Sequence, residues 1–407
     1  MEKLLYFLIY LVYFSTPFES VAVAQNISVV KIVTLLFLSV AVLYFKKIPF
    51  PNSFFLKLFF IYTVYAILST LWSIDWETTL KSSLSTTLPS FIVVLFLFRA
   101  VHRREHIDNI FKAYAAGSIA VSFWAFYLFL TGAWFDDSVY GMRLTVLGQD
   151  PNELSFLLAF GIVSILYLIL FTCIKSINKV FLILISVLLA FIIMATGSRT
   201  GYVILLIIGF SFPFIFRKKG IRLVLLIMII FLGGLLFNSL PEYTSNRLHE
   251  TTEQISNRDL SRRVFIWESG WDAYKQHGNY ILGTGFMSFQ KLLKQSIGIS
   301  ASPHSTYFST IIELGIIGLI MLLAMLFHLL KKTYLLFKQE SIFYFLLIIP
   351  LLVVMSTLGT ANRRWLFLIG VLIIKAYQFS IQSQEDFLLT NNNQQEEIYN
   401  NTRNYCM

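Results

Sequence analysis

Apolar stretches of about 20 residues recur along the whole chain, and they constrain its fold more than any other feature. A helix of about 20 apolar residues is long enough to cross the hydrocarbon core of a bilayer. Such stretches lie near residues 4–24, 28–45, 54–72, 81–99, 110–131, 152–172, 179–196, 201–216, 221–239, 304–328, 342–359 and 364–380. Only 13% of the 407 residues are charged, about half the fraction found in soluble domains. The sequence therefore predicts an all-α polytopic membrane protein with about 12 transmembrane helices, and it excludes a soluble globular enzyme.

Basic residues indicate how the chain is oriented. When the loops are assigned alternately to the two sides of the membrane, one side collects the basic clusters near 46–57, 99–112, 175–179, 217–222 and 331–338. Cytoplasmic loops of membrane proteins carry an excess of Lys and Arg. We therefore expect both termini in the cytoplasm. The net charge of +10 reports this orientation, and no nucleic acid partner is expected.

The opposite side is richer in arginine than in lysine. The planar guanidinium group binds phosphate with two parallel hydrogen bonds, whereas a lysine acts as a single point charge. We therefore expect the functional face of the protein to be extracytoplasmic.

The first apolar stretch permits two interpretations. Lys3, the apolar run that follows it and the small residues Ala22-Val23-Ala24 are also typical of a cleavable signal peptide. An uncleaved first helix fits better with the apolar stretches that follow. Either interpretation leaves the rest of the chain in the same orientation.

Loop lengths divide the chain into four parts. Residues 1–239 hold the first nine transmembrane helices, and residues 240–303 form one large extracytoplasmic loop with a predicted amphipathic helix near 259–276. Residues 304–380 hold the last three helices. The remaining segment, 381–407, is polar and of low complexity, so we predict a disordered cytoplasmic tail.

Polar clusters mark the extracytoplasmic starts of the sixth and eighth stretches. Asp150 and Pro151 have the residue types of an N-cap and a first helical position, and Glu153 completes a pattern similar to a capping box. Asn152 is an amide at the edge of an apolar helix, where it needs a polar partner. Arg199 lies between two glycines, which indicates either an anion site that the backbone can approach closely or a tight turn with an arginine that reaches to the interface.

The starts of the tenth and twelfth stretches carry a histidine and an arginine pair. Ser302 and Pro303 predict a capped helix with His304 in its first turn. A neutral imidazole at that position could serve as a general base near pH 7. The pair Arg363 and Arg364 opposes the usual charge distribution and suits either a phosphate ligand or anionic lipid headgroups.

The amphipathic helix predicted in the large loop contains further candidates. Arg262 and Arg263 supply cations, while Trp267 and Trp271 are four residues apart and share one face. That aromatic face suits either sugar rings or the surface of the bilayer. The chain contains only two cysteines and no motif typical of a catalytic metal or nucleotide site, so no metal and no cofactor are expected.

These motifs, in this order, resemble the O-antigen ligase and O-antigen polymerase family of bacterial membrane glycosyltransferases. The resemblance rests on Arg143, Asp150-Pro151-Asn152-Glu153, Gly197-Ser198-Arg199-Thr200-Gly201, Ser261-Arg262-Arg263 with Trp267, Leu282-Gly283-Thr284-Gly285-Phe286, and His304-Ser305 followed after nine residues by Gly315-Ile316-Ile317-Gly318. It implies an enzyme of the bacterial cytoplasmic (inner) membrane with an extracytoplasmic active site. Such enzymes move a glycan from a polyprenyl diphosphate carrier to a hydroxyl group of another glycan or of a lipid.

The resemblance and the local chemistry together suggest a role for each candidate. His304 would be the base or would orient the acceptor, and Arg199 and Arg263 would bind the diphosphate, assisted by Arg143, Arg262 or Arg364. Substrate positioning would fall to Asn152, Ser305, Trp267 and Trp271. The expected partners are the carrier-linked donor, the acceptor, membrane lipids and other proteins of polysaccharide assembly. Ligation and polymerisation stay open as alternatives.

A transporter or flippase for polysaccharide or lipid-linked oligosaccharide is the alternative function, because twelve helices are also common in transporters. It would require two pseudosymmetric halves and polar residues at mid-membrane. The sequence shows neither feature, apart from Glu313.

Overall fold

The computed structural model describes residues 1–19, 22–24, 27–45, 51–132, 143–146, 149–216, 218–240, 261–339, 342–359 and 363–382. The helices are α1 (Glu2–Ser15), α2 (Val29–Tyr44), α3 (Phe54–Leu68), α4 (Trp76–Ser82), α5 (Leu88–Ala100), α6 (Arg104–Thr131), α7 (Pro151–Phe171), α8 (Ser176–Ala195), α9 (Arg199–Ser211), α10 (Lys219–Asn238), α11 (Ser261–His277), α12 (Phe289–Ile297), α13 (Thr306–Gln339), α14 (Phe345–Thr357) and α15 (Arg364–Gln382). Each of the twelve apolar stretches overlaps one of these helices, and the fourth overlaps α5 and the end of α4.

The protein is an all-α multi-pass membrane protein, as predicted. Eight described helical segments are long and apolar enough to cross a membrane, and they include the continuous segment Trp76–Ala100 formed by α4, a π-helical turn and α5. Three further segments, Val29–Tyr44, Arg199–Ile215 and Ile342–Thr357, are apolar but shorter. The helices therefore lie where the predicted transmembrane helices, about 12 in number, were expected. Among the described residues, eight of these segments are long enough to cross a membrane.

The first predicted span is shorter in the structure than in the sequence analysis. Helix α1 ends at Ser15 and continues as a 3₁₀ turn through Phe18, with Pro17 inside that turn. Two short antiparallel strands follow, β1 (Ala22–Ala24) and β2 (Ile27–Ser28). The extension of the first span to residue 24 is therefore wrong, because proline suits the first turn of a helix and not its continuation.

Helix α7 lies at the centre of the bundle and is buried along nearly its whole length. It is apolar on all sides, which is the pattern of a helix enclosed by protein. Two glycines let the neighbouring elements approach closely: a Cβ on Gly161 would meet the side chain of Ser118 on α6, and a Cβ on Gly201 of α9 would lie 2.8 Å from the Cβ of Ser155. The start of α7 is therefore held in a fixed position relative to the elements around it.

Helix α13 is broken at Gly315, where φ is 64° and ψ is −166°. Neighbouring backbone groups that lose their helical partners bond instead to residues 280–285. The N–H groups of Thr284 and Gly285 donate to the carbonyls of Ile312 and Glu313 at 2.9 and 2.8 Å, and the N–H of Ile316 donates to the carbonyl of Tyr280 at 3.0 Å. In an apolar environment these backbone groups need such partners.

The same segment also bonds to the end of α3 and the turn after it. Tyr65 and Trp72 both donate to the carbonyl of Leu282, at 3.3 and 3.1 Å. The N–H of Phe286 donates to Ser69 Oγ at 3.0 Å. The segment thus connects the loop region before α13 to two separate helices of the bundle.

Helices α11 and α12 have a small apolar core of their own. Buried Ala273 and Tyr274 of α11 pack with Phe289 and Leu293 of α12 and with Ile312 of α13. The predicted helix near 259–276 is confirmed as α11, whereas α12 was not predicted. Both helices pack against α13 near its start.

Helix α10 lies at the periphery. It has no buried residue, and a Cβ added at Gly233 or Gly234 would meet nothing within 4 Å. Its apolar side chains are exposed all round, as expected of a helix that faces lipid.

Candidate functional site

Three polar side chains, Asp150, Asn152 and Glu153, lie at the start of α7, at one end of the bundle. Asp150 is the N-cap, since its carboxylate accepts from the N–H groups of Asn152 and Glu153 at 2.7 and 3.2 Å, and Pro151 takes the first helical position. The predicted cap is confirmed. The predicted capping box is wrong, because the Glu153 carboxylate points away from the cap and accepts from the indole N–H of Trp365 at 3.1 Å.

Asn152 has the polar partners that its position requires. Its side-chain oxygen accepts from Ser198 Oγ at 2.8 Å and from Arg143 Nη2 at 3.4 Å. Arg143 is buried and also donates from Nε to the carbonyl of Thr196 at 3.1 Å. Arg143 thus connects the loop before α7 with the end of α8, while its predicted role in diphosphate binding stays a prediction.

Arg199 is the first residue of α9 and is half-buried. Gly197 turns the chain in the left-handed region with φ of 60°, a conformation that favours glycine. Ser198 is the N-cap, with Oγ accepting from the N–H of Gly201 at 3.1 Å. A helix N-terminus presents free N–H groups and the positive end of the helix dipole, so Arg199 adds a full cation to a site already suited to an anion.

His304 precedes α13 and does not belong to its first turn. The helix begins at Thr306, and Ser305 takes the capping role, with Oγ accepting from the N–H of Phe308 at 3.4 Å. His304 has φ of 47°, which is uncommon outside glycine and incompatible with the predicted first helical turn. Placing His304 in that turn, with Pro303 as the first helical residue, was therefore wrong.

Two charged side chains on different elements face His304. Burial of the imidazole lowers its pKa below that of an ordinary histidine, the positive charge of Arg263 on α11 lowers it further, and the negative charge of Asp150 opposes both. The imidazole is therefore neutral at pH 7 and able to accept a proton. His304, Arg263 and Asp150 come from three separate parts of the chain, and folding brings them together.

Trp267 contacts the backbone of the loop between α12 and α13, residues 298–305, which we call the histidine loop. Its indole Nε1 donates to the carbonyl of Pro303 at 2.6 Å, and its ring lies 5.8 Å from that of Phe308. Trp271, on the same face, packs against Tyr274 at 5.6 Å within the small core of α11 and α12. Both tryptophans are therefore at least partly engaged within the protein, and their predicted role in substrate positioning stays untested.

The arginine pair before α15 separates into two environments. Arg364 is buried and donates to Glu19 at 2.9 Å and to the hydroxyl of Thr34, which connects α15 to the segments around α1 and α2. Arg363 is 39% exposed and pairs with Glu153 at 3.4 Å. Arg364 was the candidate for diphosphate binding from the sequence. Of the two arginines, however, Arg363 is the more exposed.

The residues directly after α14 lie beside the histidine loop. Thr306 Oγ1 donates to the carbonyl of Leu358 at 2.7 Å, and a Cβ on Gly359 would lie 3.9 Å from Ser302 Oγ. The start of α15 therefore belongs to the same end of the bundle as His304. The side chain of Arg262 lies outside the described residues. Among the side chains that the structure describes, no group of three or more His, Cys, Asp or Glu could hold a metal ion.

Residues 183–323 match the family model described as O-antigen ligase. Over these residues the chain is similar to the O-antigen ligase family. Comparison with curated proteins gives no match. The match indicates a ligase-like or glycosyltransferase-like enzyme in general, with a polysaccharide or lipid-linked glycan as its substrate context.

The O-antigen ligase segment contains Arg199, Arg263, Trp267 and His304. The loop with Asp150 before α7 and the start of α15 with Arg363 lie outside it. Asp150 contributes to the electrostatics of His304, so the site is built from the family segment and from its surroundings. The proximity of these groups follows from the fold and could not be deduced from the family match.

Proposed function

We propose that this protein transfers a glycan from a polyprenyl diphosphate carrier to a hydroxyl acceptor at the extracytoplasmic face of the bacterial cytoplasmic membrane. The observation that carries the proposal is the convergence of His304, Arg263 and Asp150, with the first two inside the O-antigen ligase segment. A neutral imidazole beside a guanidinium supplies a base and a cation, which are the two groups that this reaction needs.

In the proposed reaction His304 removes the proton of the acceptor hydroxyl. The acceptor oxygen then forms a bond to the anomeric carbon of the donor sugar. The bond between that carbon and the diphosphate oxygen breaks, and its electron pair leaves with the diphosphate. The lowered pKa of His304 supports this role, because a histidine that is neutral at pH 7 can accept the proton directly.

Arg263 and Arg199 are the proposed ligands of the leaving diphosphate. Arg263 is half-buried next to His304, and Arg199 stands at the N-terminus of α9. In the proposed reaction, both would be preorganised cations for the negative charge that increases during bond cleavage. We propose Arg363 as a third cation, in place of Arg364, because its guanidinium is partly exposed whereas that of Arg364 is buried against Glu19.

The test is the purified protein in lipid nanodiscs with a polyprenyl diphosphate glycan and a hydroxyl acceptor. His304→Ala should lower the rate of transfer by on the order of a hundredfold to ten-thousandfold, as expected for loss of a general base. The matched control is His277→Ala, since His277 is exposed at the end of α11. Unchanged transfer by His304→Ala would contradict the proposed role of the histidine.

The size of the glycan product in a deletion strain distinguishes ligation from polymerisation. Collapse to single repeat units would identify a polymerase, whereas long chains retained on the lipid carrier would identify a ligase. A carrier-linked glycan confined to the cytoplasmic leaflet would contradict both and would support a flippase.

A further inference from the structure

A hydrogen bond joins helix α11 to the backbone of the histidine loop. The indole N–H of Trp267 donates to the carbonyl of Pro303 at 2.6 Å. Pro303 is buried and directly precedes His304. The bond therefore acts on the peptide unit that joins Pro303 to His304.

The His304 backbone needs such support. Its φ of 47° lies in the left-handed region, which is unfavourable for a residue other than glycine. Within the loop, the N–H of His304 donates to Ser302 Oγ at 3.5 Å, at the long limit for a hydrogen bond. The bond from Trp267 is much shorter and comes from a different element.

Trp267 also relates the histidine to its cationic neighbour. Arg263 precedes Trp267 by four residues on α11, so both side chains lie on one face of that helix. Arg263 lies close enough to influence the protonation of His304, while Trp267 contacts the loop that carries it. One helix face therefore provides both the charge beside the base and the contact that fixes the base.

We propose that Trp267 is a positioning residue that holds His304 in its left-handed conformation through the Pro303 carbonyl. The proposal rests on the proposed function, in which His304 is the base. It differs from a role of Trp267 as a stacking surface for sugar rings, because the indole N–H is already bonded to the protein and the ring lies against Phe308.

The test is Trp267→Phe in the reconstituted transfer assay. Phenylalanine keeps an aromatic ring against Phe308 but removes the N–H donor. We expect kcat to fall on the order of tenfold to a hundredfold, because small misplacement of a reacting group has effects of this size. KM for the glycan donor should change by less than about twofold, since the variant would weaken an interaction of the transition state and leave ground-state binding of the donor unchanged. The matched control is Trp124→Phe on α6, a half-buried tryptophan that belongs to no part of the site.

The pH profile is the measurement that a purely structural role would leave unchanged. Arg263 on α11 and Asp150 before α7 are the charged groups that face His304, and burial lowers its pKa more than the arginine does. Release of the loop should expose the imidazole. The acidic limb of kcat/KM should then move to higher pH in Trp267→Phe and stay unchanged in Trp124→Phe.

A second readout does not depend on catalysis. Diethyl pyrocarbonate modifies accessible imidazoles, and mass spectrometry compares His304 with the exposed His277 in the monodisperse fraction of each variant. Faster modification of His304 in Trp267→Phe would support the proposal. An unchanged pH profile and modification rate would overturn it, as would a rise in KM with unchanged kcat, which would identify a sugar-stacking surface. If His304→Ala keeps full activity, the proposed function fails, whatever the result for Trp267.

Discussion

Replacing Gly315 by alanine should unfold the junction between α13 and the segment that bonds to it. A Cβ on Gly315 would lie 2.5 Å from the carbonyl carbon of Ile281 and 2.7 Å from the nitrogen of Gly283. Both neighbours are backbone atoms, so no side chain can rotate away. The φ and ψ of 64° and −166° fall in a region that only glycine adopts readily, which adds on the order of 1–3 kcal/mol of strain for alanine.

The loss of backbone hydrogen bonds increases the cost. Three bonds of 2.8–3.0 Å join residues 280–285 to the residues around the break. Each contributes about 1 kcal/mol net, and more when the freed groups stay buried. Together with the strain, we expect the free energy of unfolding to fall by about 5 kcal/mol, which is exceptional for a single substitution.

The assay is unfolding in mixed micelles of mild detergent and sodium dodecyl sulfate, followed by tryptophan fluorescence. Gly234→Ala is the matched control, because Gly234 lies inside α10 with open space around it. Alanine there should leave stability unchanged or raise it by up to about 1 kcal/mol through helix propensity. If Gly315→Ala stays within about 1 kcal/mol of the wild type, the reasoning from the helix break is refuted.

Four further predictions concern the site and its supports. The acidic limb of kcat/KM should have its midpoint below the value of 6.5 typical of histidine, because rate follows the neutral form of His304 and its pKa is lowered; a midpoint above 6.5 would contradict the role of burial. Arg263→Gln should move that midpoint upward, since removal of the positive charge favours the imidazolium, and a downward shift in the same titration would contradict it. Arg364→Ala should lower the free energy of unfolding by about 3 kcal/mol in the same assay, because it leaves the carboxylate of Glu19 without its partner. Arg363→Ala should lower transfer activity and leave the free energy of unfolding within about 1 kcal/mol of the wild type. Ser198→Ala should lower stability by about 1 kcal/mol through loss of the α9 cap, and an unchanged unfolding midpoint would show that this cap contributes nothing.

The helix positions could be predicted from the sequence because the bilayer leaves few alternatives. Backbone groups in hydrocarbon have to bond within their own segment, so an apolar stretch of sufficient length becomes a helix. The cap at Asp150 also followed from local sequence, since it involves only the next three residues. These two kinds of prediction depended on one segment and the solvent around it, and they were confirmed.

Two features that the sequence could not show depend on residues far away in the chain. The break at Gly315 requires backbone partners about 30 positions earlier, and no local pattern shows that they dock there. The choice between Arg363 and Arg364 is decided by Glu19, which lies 345 positions from Arg364. Neighbouring residues on a helix differ by about 100° in direction, so the sequence could identify the pair but could not tell which member is exposed.

The electrostatic environment of His304 could be predicted only in part from the sequence. The residue types at His304 and Arg263 indicated a base and a cation, but the histidine was assigned to a helical turn that it does not occupy. Its neighbour Asp150 was recognised only as a cap, although the same carboxylate also faces the imidazole. When one side chain has two roles, the sequence predicts only the role that depends on neighbouring residues.

The hydrogen bonds from residues 280–286 to α3 and α13 limit how this protein can be divided or recombined. The segment between α10 and α13 reads in the sequence as a separate loop, yet four of its backbone groups complete the hydrogen bonding of a broken membrane helix. Other backbone groups of the segment bond to Ser69, Tyr65 and Trp72. A chimera that exchanges this loop between two relatives must therefore exchange the end of α3 and the first part of α13 with it. Acceptor specificity encoded in the loop would be inherited together with part of the membrane bundle.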